Sequence, residues 1–305
     1  MITDLRDLIL AQRNQLRGKM NEGSEPVRKN LSVAEGLISY IAWPRQAQGL
    51  HFAHANGFNA QTYSTLLAPL ADSFSIVASD LRGHGHTHLP TPSGFSQGWH
   101  IFADDLIGAL QRFFTEPVLL AGHSMGANAS LMVAAARPEL VRALVLIEPV
   151  FVPPAIAVRP VPDIAERAAK RHAVFPSQAA MQDAYAGRGA FKGWPDAVLR
   201  DYIEGGTRPT SDGQIALSCE PRVEAEDFRS SPKAAYEHAS RINCPVTLIR
   251  GDGPGSTCGA EEAAAFVARK PDARLVTVAG ANHFLPMEYP DIVRRHILAH
   301  AGSNT

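Results

Sequence analysis

The chain has 305 residues, 45% of them hydrophobic, which is enough to bury a large core in one domain with an insertion or in two smaller domains. Its 29 basic and 30 acidic residues give a formal net charge of -1, which excludes the general attraction to nucleic acid or to an anionic membrane that a basic protein has. A small neutral substrate suits this charge balance best, and we expect no nucleic-acid partner.

Cysteine usage and the N-terminal segment add further expectations. Cys219, Cys244 and Cys258 lie far apart without CxxC spacing, which argues against a disulfide framework and a thiolate metal site. The first ten residues combine two acidic side chains with an apolar run too short for a signal peptide or a membrane span, so a cytoplasmic location is the default expectation. Residues 1–29 are interpreted as an extension whose short amphipathic helix docks on the core or forms a homodimer contact.

The first half of the chain predicts strands that alternate with helices. Two strand-like runs around the turn at 34–36 predict a hairpin at one edge of a sheet. Predicted strands follow at 50–53, 75–79, 118–121 and 144–147, and helices begin at Tyr63, Ile101 and Ala127. Alternation at this spacing is typical of a mostly parallel central sheet flanked by helices. Residues 30–150 are therefore predicted to form the first part of an α/β core.

The alternation stops after Ile147. Several prolines precede three helical stretches, and no strand of core length is predicted before Val246. The three stretches cover 164–174, 178–185 and 196–204. Residues 151–240 are therefore predicted to form a mainly helical cap, inserted after the sixth strand. The core resumes over 241–305, with predicted strands at 246–250 and 275–278 and predicted helices at 260–269 and 291–300.

The strongest chemical signal is the segment Gly122-His123-Ser124-Met125-Gly126, which follows an apolar strand and precedes a helix-forming run. Gly-x-Ser-x-Gly between a strand and a helix is a nucleophile elbow. The turn is too tight for side chains on both flanks, so the glycines give room and the Ser124 hydroxyl projects from the end of the strand. Ser124 is therefore the predicted nucleophile.

His283 is the predicted base. An unactivated serine hydroxyl is a poor nucleophile at neutral pH, so Ser124 requires a base, and the base requires an orienting acid. His283 stands in Gly280-Ala281-Asn282-His283-Phe284, directly after the final predicted strand. Because the C-terminal ends of parallel strands meet at one edge of a sheet, this loop is expected beside Ser124.

Beyond the elbow and His283, three more stretches carry a family resemblance. His54-Ala55-Asn56-Gly57-Phe58 resembles the oxyanion turn of capped serine α/β-hydrolases, with Asn56 where the family usually has histidine. Asp80-Leu81-Arg82-Gly83-His84-Gly85 resembles the family's segment after the fourth strand, and Leu146-Ile147-Glu148-Pro149 resembles the end of its sixth strand. The resemblance covers the chain after residue 30 and implies the α/β-hydrolase fold, a helical cap after the sixth strand, and the triad order serine, acid, histidine.

The resemblance also implies where an oxyanion would be held. The backbone N–H groups of Phe58 and Met125 are the expected donors, and Met125 suits the role because the residue after the nucleophile begins a helix. The residues assigned to the substrate pocket are Asn56 and Gly57 of the same turn and Phe151 and Trp194 of the cap. The two aromatic side chains fit a pocket wall and a cap core equally well.

The acid of the triad is left open between two carboxylates. After the seventh strand the family usually has Gly-x-x-Asp, whereas this chain has Gly251-Asp252-Gly253-Pro254. Proline offers no carboxylate, so either Asp252 serves from a reshaped loop or the acid comes from elsewhere. Glu148 is favoured, because the end of the sixth strand supplies the acid in some relatives, including certain haloalkane dehalogenases and zearalenone lactonases.

The predicted function is hydrolysis of a small apolar carboxylic ester, through an acyl-enzyme on Ser124. Thioesterase, lactonase, amidase and carbon-carbon hydrolase activities share this machinery, and a ligand receptor with little turnover is an alternative on the same scaffold. No cofactor is expected. A metal site at His84, His86 and His88 is discounted, because no nearby carboxylate or cysteine completes a ligand set.

Overall fold

An eight-stranded sheet lies at the centre of the computed structural model, which describes residues 26–91, 98–151, 164–232 and 235–302. The strands in chain order are β1 (Val27–Val33), β2 (Gly36–Trp43), β3 (Gln48–Ala53), β4 (Phe74–Ser79), β5 (Val118–His123), β6 (Val141–Ile147), β7 (Val174–Phe175), β8 (Thr207–Pro209), β9 (Ile215–Leu217), β10 (Val246–Gly251) and β11 (Arg274–Val278). The order across the large sheet is β1-β2-β4-β3-β5-β6-β10-β11.

Strand pairing is antiparallel only at one edge of this sheet. β1 pairs with β2, and β2 with β4, in antiparallel orientation. The five remaining neighbouring pairs, from β4 and β3 to β10 and β11, are parallel. The predicted α/β fold with a mostly parallel sheet is therefore confirmed, as is the hairpin around residues 34–36.

Hydrophobic clusters cover both faces of the sheet, under the flanking helices. The helices in chain order are α1 (Ser64–Leu67), α2 (His100–Phe113), α3 (Met125–Ala136), α4 (Ile164–Ala169), α5 (Gln178–Tyr185), α6 (Asp196–Gly205), α7 (Pro221–Arg229), α8 (Ala260–Arg269), α9 (Leu285–Glu288) and α10 (Pro290–Leu298). In β5, Leu119 and Ala121 belong to one cluster, whereas Val118 and Leu120 belong to the other. A strand buried on both faces reads as a continuous apolar run, and each buried leucine contributes about 1.5–3 kcal/mol.

Residues 164–232, which we name the insertion, stand apart from the large sheet. They hold α4 to α7 and a small antiparallel sheet in the order β7-β9-β8. Helices α5 and α6 lie where the sequence predicts them, but α4 ends at Ala169 instead of residue 174. Helix α7 was not predicted. The pairing of the three short strands was not predicted either, because two or three residues are too few to show an alternating pattern.

Two core boundaries differ from the predicted ones. β1 begins at Val27, before the expected start at residue 30, and the 3-10 helix Ala235–Arg241 packs against α3 and α8 of the core. The predicted N-terminal helix and the proline-rich entry of the cap, residues 152–163, lie outside the described residues. None of the described helices combines the length and the apolar character needed to cross a bilayer.

Candidate active site

Ser124 lies in a strained turn between β5 and α3, as the elbow motif predicts. Its backbone has φ 55° and ψ -119°, and its side chain is buried, at 6% exposure. A Cβ at Gly122 would lie 2.5 Å from backbone atoms of Gly126, and one at Gly126 would lie 2.2 Å from the carbonyl oxygen of Ala53. Both glycines are therefore required by close backbone approach, and the end of β3 lies directly against the elbow.

Positive φ outside glycine occurs at two of the described residues, Ser124 and Glu148. Glu148 follows β6 with φ 46° and is completely buried. Such a backbone conformation costs on the order of 1–3 kcal/mol for a residue with a side chain, and it persists only where the surroundings enforce it. The two strained residues lie at the ends of neighbouring strands, β5 and β6.

His283 lies in the loop between β11 and α9, close to the elbow. The rings of His283 and His123 have centroids 4.8 Å apart, and Nε2 of His123 lies 2.8 Å from the carbonyl oxygen of His283. On the other side of His123, Nδ1 lies 2.7 Å from the hydroxyl of Tyr63, which accepts the N–H of Ala55 at 3.1 Å. Burial lowers the pKa of His123 well below its usual value, so a neutral His123 joins the two loops.

Glu148 is the carboxylate that reaches His283. Its Oε2 lies 3.4 Å from Nδ1 of His283. The carboxylate also accepts three other hydrogen bonds: from the Gly251 N–H at 2.5 Å, the Ser256 hydroxyl at 2.8 Å and the Thr257 N–H at 2.9 Å. These donors hold the buried carboxylate in place beside the imidazole.

Asp252, the alternative acid, points elsewhere. It is exposed, and its Oδ1 accepts the backbone N–H of Gly280 at 2.6 Å. Within the described part of the chain, its side chain forms no hydrogen bond with His283. Of the two carboxylates left open by the sequence, the structure brings only Glu148 to the imidazole.

The turn after β3 departs from the expected oxyanion geometry. The N–H of Phe58 donates to the carbonyl oxygen of Ala55 at 3.1 Å, and Gly57 has φ 73°, as a turn with positive φ at its third residue requires. The Phe58 amide is therefore already paired, and its predicted oxyanion role does not fit this geometry. Among the described residues, the backbone N–H groups of Asn56 and Met125 have no protein acceptor.

The buried side chain of His84 holds this turn. Nε2 of His84 accepts the N–H of Gly57 at 3.0 Å, while Nδ1 of His84 lies 2.9 Å from the carbonyl oxygen of Arg82. Burial, with a further effect of the nearby His54, lowers the pKa of His84 to about 3. His84 is therefore neutral at physiological pH and keeps the Nε2 lone pair that the Gly57 amide needs.

The insertion packs directly on the same turn. The Asn56 side chain donates through Nδ2 to the carbonyl oxygen of Glu224 at 3.0 Å, and a Cβ at Gly57 would lie 2.6 Å from the Glu224 carboxylate. The Phe58 ring contacts Trp194 at a centroid distance of 5.4 Å. The Asn56 side chain is thus used to dock the insertion, and its role in substrate binding stays a prediction.

The two aromatic residues assigned to the pocket lie in different places. Trp194 contacts Phe284, the residue after His283, with centroids 5.7 Å apart, so it lies over the candidate site. Phe151 instead stacks on Phe266 of α8 at 5.6 Å and is 3% exposed. Its assignment to the pocket does not fit this structure, because the chain turns back into the core before it enters the insertion.

Charged groups of the insertion are buried beside the oxyanion turn. Arg171 donates to the Glu224 carboxylate and to the Tyr202 hydroxyl, both at 2.6 Å. Asp227 is fully buried without a side-chain hydrogen bond, 3.9 Å from Nε2 of His84. Burial, followed by the charges of nearby glutamates, raises the pKa of Asp227 well above its usual value. No sequence motif indicated this cluster, because α7 was not predicted.

Among the described residues, no group of three or more histidines, cysteines, aspartates or glutamates is arranged to hold a metal ion. His84 is one of the three histidines discounted as metal ligands. Its two ring nitrogens contact the backbone of Gly57 and of Arg82.

The chain belongs to the alpha/beta hydrolase family, whose model matches residues 52–296. It is 29% identical to a 2-(acetamidomethylene)succinate hydrolase of Mesorhizobium japonicum, over 81% of this chain and 85% of that protein. It is 26% identical to the esterase Rv0045c of Mycobacterium tuberculosis, over 83% of this chain and 82% of the esterase.

Solved structures show the same fold. The crystal structure of an E-2-(acetamidomethylene)succinate hydrolase superposes with a TM-score of 0.77 at 25% identity, covering 90% of this chain and 98% of that one. A thioesterase domain from the curacin biosynthetic pathway superposes with a TM-score of 0.73 at 22% identity, covering 90% of this chain and 99% of the domain. The protein is thus an alpha/beta hydrolase with an esterase among its relatives.

Proposed function

We propose that the protein is a serine hydrolase that cleaves small apolar carboxylic esters through an acyl-enzyme on Ser124. The observation that carries this proposal is the contact between the buried Glu148 carboxylate and Nδ1 of His283, beside the strained elbow of Ser124. A nucleophile, a base and an orienting acid in this arrangement suit acyl transfer to water.

In the proposed reaction, Nε2 of His283 removes the proton of the Ser124 hydroxyl as the oxygen attacks the ester carbonyl. Glu148 keeps the other ring proton on Nδ1 and stabilises the imidazolium that forms. The amides of Asn56 and Met125 hold the negative charge on the carbonyl oxygen. His283 then protonates the leaving alcohol. A water molecule, activated by the same imidazole, releases the acid and restores Ser124.

The insertion is proposed to act as the cap of this site, within the expected range 151–240. The ring of Trp194 lies against Phe58 of the oxyanion turn and Phe284 of the histidine loop. These aromatic side chains suit an apolar acyl or alcohol group, which gains about 25 cal/mol for each Å² removed from water.

A second candidate is hydrolysis of an acylated nitrogen in an acidic small molecule. The similarity to the 2-(acetamidomethylene)succinate hydrolase favours it, because the printed substrate of that relative carries an acetamido group and two carboxylates. The same serine mechanism would release acetate.

The test is turnover of a panel: p-nitrophenyl acetate and butyrate, a γ-lactone, an acyl thioester, and 2-(acetamidomethylene)succinate. We expect the p-nitrophenyl esters to be hydrolysed, with Ser124→Ala reducing kcat to the background. Preference for the succinate compound would favour the second candidate. A folded protein that turns over none of the panel, and whose Ser124→Ala variant behaves identically, would instead indicate a receptor.

A further inference from the structure

The loop between β10 and α8 has lost the carboxylate that the family usually places there, yet it surrounds the candidate acid. Gly251, Ser256 and Thr257 each donate a hydrogen bond to the Glu148 carboxylate, two of them from the backbone. These donors explain how the loop tolerates Pro254 at the family's acid position. The loop holds a carboxylate from the neighbouring strand instead of providing its own.

Thr257 does more than hold Glu148. Its Oγ1 lies 3.0 Å from Nδ1 of His283, whereas Oε2 of Glu148 lies 3.4 Å from the same nitrogen. The threonine hydroxyl therefore makes the shorter contact with the imidazole. A neutral oxygen at this distance is a normal hydrogen-bond partner for a ring N–H.

The direction of the hydrogen bond follows from the other contacts of the hydroxyl. Oγ1 of Thr257 lies 3.1 Å from the carbonyl oxygen of Glu148, which can only accept. When Nδ1 of His283 carries a proton, the hydroxyl donates its own single proton to this carbonyl, and a lone pair of Oγ1 accepts the Nδ1–H. That ring proton is then shared between a neutral acceptor and a charged one.

We propose that Thr257 is a positioning residue of the site, which shares the Nδ1–H of His283 with Glu148 and keeps the imidazole in its reactive tautomer. This inference rests on the proposed function. The two acceptors have different roles, because only the carboxylate offers a charge to the imidazolium formed in the reaction. Thr257 orients the ring before the reaction, and Glu148 stabilises it during the reaction.

Thr257→Val is the direct test, since valine has the same shape and keeps the backbone N–H that Glu148 accepts. We expect kcat for p-nitrophenyl butyrate to fall about tenfold, the loss of one hydrogen bond worth about 1.4 kcal/mol, with KM changed less than about twofold. Thr257→Ser, which keeps the hydroxyl, should stay within about threefold of the wild type.

Ser256→Ala is the matched control. Its hydroxyl donates to the other Glu148 oxygen, Oε1, and is not a partner of the imidazole. We expect a smaller loss of kcat than in Thr257→Val. In the Glu148→Gln background, Thr257→Val should cost more than it does alone, because the charged acceptor is gone and Thr257 contributes more to selecting the Nδ1–H tautomer.

The proposal is overturned if folded Thr257→Val has the same kcat as its parent protein in both backgrounds, or if Thr257→Ser loses as much as Thr257→Val. Circular dichroism and thermal melting establish that each variant is folded. The proposed function is judged separately, by wild-type turnover and its loss in Ser124→Ala, so its failure and the failure of the Thr257 proposal give different results.

Discussion

The two sides of the candidate site are built differently. On the side of the base, His283, Glu148 and Thr257 come from core loops at the ends of β11, β6 and β10. On the side of the substrate carbonyl, the turn at Asn56 is attached to the insertion. In the proposed mechanism, proton transfer therefore uses core residues alone, whereas the turn that carries the Asn56 backbone N–H also depends on how the insertion docks.

The hydrogen bonds and ring contacts on the two sides show the same contrast. The Glu148 carboxylate accepts all of its hydrogen bonds from core residues, and the imidazole next to it is itself joined to Tyr63 through His123. At the oxyanion turn, the contacts include the backbone of α7 and the ring of Trp194, both from the insertion. A substrate that moves the insertion would therefore affect the oxyanion amides first.

The largest expected effect comes from a substitution on the side of the base. Glu148→Gln should lower kcat about 10³ to 10⁴-fold, by analogy with neutralisation of the aspartate in other serine triads. Asp252→Asn is the matched control, because it neutralises the exposed carboxylate that accepts only from Gly280, and it should stay within about twofold. Steady-state kinetics with p-nitrophenyl butyrate measure both. A severe loss in Asp252→Asn with a mild one in Glu148→Gln would reverse the assignment.

A smaller effect is expected from removing a hydrogen bond between the turn at Asn56 and the insertion. Asn56→Ala removes the hydrogen bond to the Glu224 carbonyl and should lower kcat about tenfold, since the turn then holds its free amide less firmly. Asn59→Ala also removes one hydrogen bond to the insertion, at the Tyr202 carbonyl, but lies beyond the turn. It should leave kcat within about threefold. Equal losses in the two variants would show that docking of the insertion, and not the turn, controls the rate.

The smallest expected effect concerns the stability of the same interface and its pH dependence. The folded-state pKa of Asp227 is raised above its unfolded value, so folding takes up a proton between these two values. Wild-type stability should therefore fall as pH rises above about 4, by up to about 1.4 kcal/mol per pH unit. Asp227→Asn removes this dependence and should gain more stability at pH 8 than at pH 5.

Urea unfolding at pH 5 and pH 8 measures this difference. Asp212→Asn is the control, because a hydrogen bond from Thr210 lowers the pKa of the exposed Asp212, which stays ionised across this range. A free energy of unfolding that changes equally with pH in the wild type and in Asp227→Asn would contradict the buried, protonated state of Asp227.

The sequence was sufficient for features with a local cause. The elbow was readable because the whole Gly-x-Ser-x-Gly motif lies in one short segment between a strand and a helix, and His283 because it follows a strand directly. The sequence left the acid open because two strand ends offered a carboxylate. Their difference lies in side-chain direction, which depends on donors more than 100 residues away from Glu148.

The errors also have physical causes. Phe58 was expected to donate to an oxyanion, but the positive φ of Gly57 closes a turn that uses its amide. Phe151 was assigned to the pocket because it precedes the cap in sequence, yet it stacks on Phe266 in the core. Thr257 was missed because a lone hydroxyl in a loop carries no motif. The contacts of Phe151 and Thr257 join segments that are distant in sequence, which no local pattern records.

The central claim is that Ser124 is a nucleophile activated by His283, and covalent labelling tests it most directly. The folded protein is incubated with a fluorophosphonate, and the adduct is located by intact-mass and peptide mass spectrometry. We predict one adduct, on Ser124, with labelling slowed at least about 100-fold in His283→Ala. Labelling at another residue, or labelling of Ser124 at the same rate without the imidazole, would contradict the account.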